Sequence, residues 1–202
     1  MSPARWTALC ALAYNLLHHL GTLPRGLGPA GGGTRWVDWI DLLTPYAVVG
    51  SALAALAAAG TDRRGWWTAL AGAGLYVQGH GVHLAANSIG NVRGDGAPVH
   101  LWDEVVGHWL WYGGVALLVV ALVRAVPLRV TPVALALALA TGLTWTTNAL
   151  EGTTAVGSSV VAAALALRYR HERLVVVAFG TGALLLTGYG LWQGGFPAPS
   201  SL

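Results

Sequence analysis

Long runs of Leu, Ala and Val, such as Val115–Val123 and Pro132–Ala140, recur along the chain without any alternation of period two. In a bilayer every backbone N–H and C=O must be satisfied internally, so a spanning segment is either a helix or a strand of a closed barrel. Barrel strands alternate apolar and polar residues, and these runs do not. Helices follow. Charged residues make up 9% of the chain, against about 25% in an ordinary soluble domain. That is too little charge to clothe a water-facing surface.

A helical span needs about 20 mostly apolar residues. Measured with that length, the sequence predicts helices over 6–23, 36–59, 66–90, 101–124, 130–150, 152–167 and 174–192. Gly and Pro punctuate the connections at 24–33, 60–65 and 90–98. Small residues inside the spans, among them Gly72, Gly74, Gly157 and Ser158, permit close helix packing. The expected fold is all-α: a polytopic transmembrane bundle of seven spans, one domain over residues 1–202. With the N-terminus cytoplasmic, the inner segments hold Arg5, Arg63, Arg64, Arg124, Arg129, Arg168, Arg170 and Arg173, leaving only Arg25, Arg35 and Arg93 outside. The positive-inside rule favours that orientation, with the C-terminus outside. The expected location is the plasma membrane of a bacterium.

Several functions are excluded at once. There is no Lys, hence no retinal-type Schiff base and no catalytic Lys. Cys10 is the only cysteine, which removes intramolecular disulfides, Cys-ligated clusters and covalent haem. The pI of about 9.4 comes from Arg scattered through short connections; this pattern sets membrane topology, and no nucleic-acid partner is expected.

The polar residues are not scattered. In the N-in orientation Asn15, His18 and His19 end the first helix on the outer side, and Asp38 and Asp41 begin the second there. Gln78, His80, His83 and Asn87 end the third, Asp103, Glu104 and His108 begin the fourth, and Asn148 and Glu151 end the fifth. All the His residues except His171 fall on this side. His80, His83 and Asn87 share one helical face, and Glu104 and His108 stand at i, i+4. His18 and His19 are about 100° apart on a helix, so only one of them faces such a cluster. The polar stripes predict a wet pocket about 5–15 Å below the outer surface. Asp38 and Asp103 have a plainer explanation too, since a carboxylate at a helix start is stabilised there by the backbone dipole.

Ionisable side chains within spans are costly and mark function. Neutral imidazole with carboxylate suits a transition metal, zinc ahead of iron. The candidate ligands are His80, His83, His108 and His18; Glu104, Asp103 and Glu151 are the candidate acid–base groups. His83, followed by Ser88 and then by Asp103-Glu104, resembles the residue kit of the CREST membrane hydrolases, the superfamily of alkaline ceramidases and progestin/adiponectin receptors. That resemblance implies seven spans and zinc chemistry set among His, Asp and Ser. The expected function is metal-dependent hydrolysis of a membrane lipid or other apolar small molecule. The alternatives are a His/carboxylate di-iron oxidoreductase, a b-type haem carrier ligated by residues such as His83 and His108, and a proton-coupled or metal-ion transporter.

Overall fold

A computed structural model describes residues 1–20, 23–94, 96–152 and 154–197. The described residues form seven main helices: α1 (Pro3–Leu17), α2 (Trp36–Ala59), α3 (Arg63–Arg93), α4 (Ala97–Ala125), α5 (Pro132–Glu151), α6 (Ala155–Arg168) and α7 (Arg173–Gln193). Their starts follow local chemistry. Ser2, Asp62 and Thr131 accept backbone N–H bonds from Arg5, Gly65 and Ala134, and Pro3 and Pro132 occupy first-turn positions where no donor is needed. Helix α2 breaks at Leu42–Leu43, two residues ahead of Pro45, whose missing N–H cannot continue the ladder.

The chain is therefore helical as expected, and α2, α4, α5 and α7 are long and apolar enough to cross a membrane. The other three fall short for different reasons. Helices α1 and α6 have 15 and 14 residues, whereas α3, with 31 residues, is diluted by Gln78, His80, His83 and Asn87. The first helix stops at Leu17 and not at 23; residues 21 and 22 of that expectation lie outside the described residues. Part of the 24–33 connection folds into an antiparallel hairpin that pairs Pro29–Gly31 with Thr34–Arg35. Large apolar side chains face outward, Leu184 and Leu191 being 76% and 81% exposed, which suits a lipid surround.

The tightest packing is between α3 and α4, which run antiparallel along a seam of glycines. A Cβ on Gly79 would collide with the backbone of Trp111 and Gly107, and one on Gly114 with Tyr76 and Gly72. Small residues let the two backbones touch, as in other membrane helix pairs. The seam also sets register. Gly72 faces Gly114 and, seven residues along, Gly79 faces Gly107; four more residues in the same sense bring His83 opposite Asp103.

After one α-helical turn, Ala97–His100, residues Leu101–Gly107 of α4 are π-helical. In an α-helix residues five apart point about 140° away from each other. A π turn closes its hydrogen bonds five residues apart and brings such a pair onto one side. Asp103 and His108 are that pair.

Candidate metal centre

His83 from α3 and Asp103 and His108 from α4 each offer one ligand atom to a set lying within 4.8 Å of one another, and this group can hold a metal ion. Asp103 and His108 are buried and His83 nearly so. His83 Nδ1 and Asp103 Oδ1 approach to 2.5 Å without the alignment of a hydrogen bond. With the imidazole proton on Nε2 the two lone pairs repel, and a proton on Nδ1 or a cation bound by both atoms removes that repulsion. Each buried polar atom left without a hydrogen bond costs about 1–3 kcal/mol, so such a pair in a packed interior calls for a ligand. The donor set therefore fits a transition metal.

His108 is oriented for the role. Its Nδ1–H donates to the Asp103 carbonyl at 2.9 Å, which leaves the lone pair on Nε2. Gly152, just past the end of α5, lies against that edge of the ring; a Cβ there would sit 2.9 Å from Nε2. Only glycine leaves the imidazole this room.

The remaining predicted residues surround the group at different distances. Glu104 Oε2 is 3.8 Å from His108 Nδ1. Glu151 lines a polar cavity of about 170 Å³ that is also walled by His83, His108, Ser88 and Asn148. His80 is fully buried, and its Nε2 lies 3.5 Å from Asp41 Oδ1, not in the three-residue group. His18 is held apart from that group as well: Nδ1–H donates to the Tyr14 carbonyl and Nε2 accepts from the Tyr76 hydroxyl, both at 2.9 Å. His18, not its neighbour, faces the cluster; His19 Nε2 bonds the Thr144 hydroxyl at 3.1 Å. Asp38 caps its helix, accepting from the Arg35 backbone N–H and guanidinium.

Trp111 is the main residue that sequence reasoning misplaces. Tryptophan favours the headgroup level of a membrane, and Trp36, Trp39, Trp102, Trp109 and Trp192 are half or more exposed. Trp111 is buried instead, with its ring centroid 4.7 Å from that of His18, 4.9 Å from His80 and 5.6 Å from both His83 and His108. It forms an aromatic floor under four imidazoles. The available signal is spacing, because Trp111 follows His108 by one helical turn.

No protein-family model, curated protein or solved structure matches this chain.

Proposed function

We propose that the protein is a metal-dependent enzyme of the bacterial plasma membrane that hydrolyses a lipid or other apolar substrate at the extracytoplasmic face. The observation that carries this reading is the convergence of His83, Asp103 and His108 beside a polar cavity. Three protein ligands leave a coordination position open, the pattern of a catalytic and not a structural zinc site. Zinc bound there supplies a Lewis acid and a water that ionises near neutral pH. The chain's own residues do the rest. Glu104 takes up a proton at Oε2 beside His108. Asn148 and Glu151 hold the polar part of the substrate within the cavity, whose volume admits a reacting group but not a whole lipid. A separate apolar cavity of about 370 Å³ between α1, α4, α5 and α7 gives room for a hydrocarbon tail. Tyr14 lines that cavity and touches His18 ring to ring at 4.6 Å.

In this reading all seven helices cross the bilayer, with the N-terminus inside. The Arg distribution and the ring of exposed Trp36, Trp39 and Trp102 at the site-bearing end support it. The likeness to the CREST hydrolases rests on the residue kit, with Ser88 on the wall of the same cavity as His83.

Two His and one carboxylate with open positions also make up the ligand set of non-haem iron oxygenases, so iron redox chemistry is the second reading. A haem between His83 and His108 lacks support, since their ring centroids are 4.6 Å apart and leave no gap for a porphyrin.

Metal analysis of detergent-purified protein tests the proposal. About one zinc per chain is expected in wild type, falling to near zero in His83→Ala and His108→Ala. In proteoliposomes of bacterial polar lipid, mass spectrometry is expected to find a cleaved lipid with wild type. Glu104→Gln should bind metal without forming that product. Equal, negligible metal in wild type and variants sinks the reading.

A further inference from the structure

The geometry points to a second cation site beside the first, held by His80 Nε2 from α3 and by Asp41 Oδ1 and Thr44 Oγ1 from α2. This site uses none of the residues assigned to the zinc centre. Its framework is the break in α2: Asp41 closes the first part of the helix and Thr44 opens the second. The Thr44 hydroxyl thereby comes to the Asp41 carboxylate, which His80 meets from α3.

Three observations favour a cation over an ordinary polar contact. First, the His80–Asp41 separation of 3.5 Å is longer than the 2.7–3.2 Å of a good N–H···O bond. It is within about 0.5 Å of the ~3.0 Å that separates adjacent ligands of one octahedral ion with bonds near 2.1 Å. Second, Asp41 Oδ1 and Thr44 Oγ1 are both buried, and although the Thr44 hydroxyl and His80 lie beside the Asp41 carboxylate, neither contact reaches full hydrogen-bond geometry; Thr44 is only 1% exposed. Third, Asp41 lines the polar cavity, so water can complete the coordination. One nitrogen and two oxygens make a harder donor set than the two imidazoles of the first centre, and such a set suits manganese or magnesium better than a thiophilic ion.

The test uses full-length protein loaded with one equivalent of zinc per chain and titrated with manganese(II). Free manganese is read from its solution EPR signal. Wild type is expected to take about one further equivalent out of the free pool. Asp41→Asn and Thr44→Val should each weaken this uptake about tenfold or more while zinc stays at one per chain, which also reports that the variants are folded. A full manganese signal over zinc-loaded wild type overturns the second site, as does equal uptake by wild type and both variants. The two proposals fail separately. Zinc uptake without manganese uptake removes only this one, whereas manganese bound through Asp41 with no zinc at His83 removes only the hydrolytic centre.

Discussion

Asp103 and Glu104 are adjacent acids with different surroundings. Asp103 is buried against His83 and lends its carbonyl to His108, while Glu104 is about a quarter exposed and lies 3.8 Å from His108. The first is placed to ligate, and the second stands beside the His108 imidazole. Gly152 sharpens the argument because it contributes only space. Gly152→Ala places a methyl group against His108 Nε2, and the ring is hemmed in by Trp111 and Tyr112 and has nowhere to go. Metal affinity is expected to fall about ten- to a hundredfold, the usual cost of disturbing a ligand's support, with no ligand altered. A competitive chelator titration measures it, and unchanged affinity would mean that His108 does not bind through that edge. Much of this is legible before folding. The spacing of His80 and His83 shows that one helix presents two imidazoles on one side, and the abundance of His at matching helix ends marks the pocket. It does not separate their partners, since His83 meets an acid from α4 and His80 one from α2.

Among the elements, the π turn decides which acid joins the imidazoles. Ordinary helical spacing pairs Glu104 with His108, four residues apart; the wider turn aligns Asp103 instead. Nothing in the sequence of Leu101–Gly107 announces that turn, which lies where α4 packs against α3. The seven-residue repeat of glycines on both helices is visible in the sequence, but their facing register is not. Deleting Val106 reduces the Asp103–His108 spacing to four, which a plain α-turn also places on one side. Metal is expected to remain at about one per chain. Inserting one Ala after Val106 makes the spacing six and is expected to abolish binding, with helical circular dichroism unchanged in both variants. Loss in the deletion variant would show that the π turn does more than align two side chains.

At the scale of the molecule, the proposed orientation makes a prediction about which connections face outward. Four helices carry the length and apolarity for crossing, and the proposed orientation adds α1, α3 and α6. Single cysteines at Ala97 and His171, introduced in a Cys10→Ser background, test it in intact cells with an impermeant maleimide. Ala97→Cys is expected to react directly and His171→Cys only after lysis, because three crossings separate them. Equal labelling in intact cells rejects seven spans, and the reverse pattern rejects the orientation.

The glycine seam has a consequence for biogenesis. His83, Asp103 and His108 all belong to one antiparallel hairpin, so the ribosome has delivered every ligand of the first centre before α5 is made. Such a hairpin can close, with its three candidate ligands together, while the rest of the polypeptide is still being synthesised. Gly152 and Glu151 arrive afterwards, and with them the wall on the far side of His108.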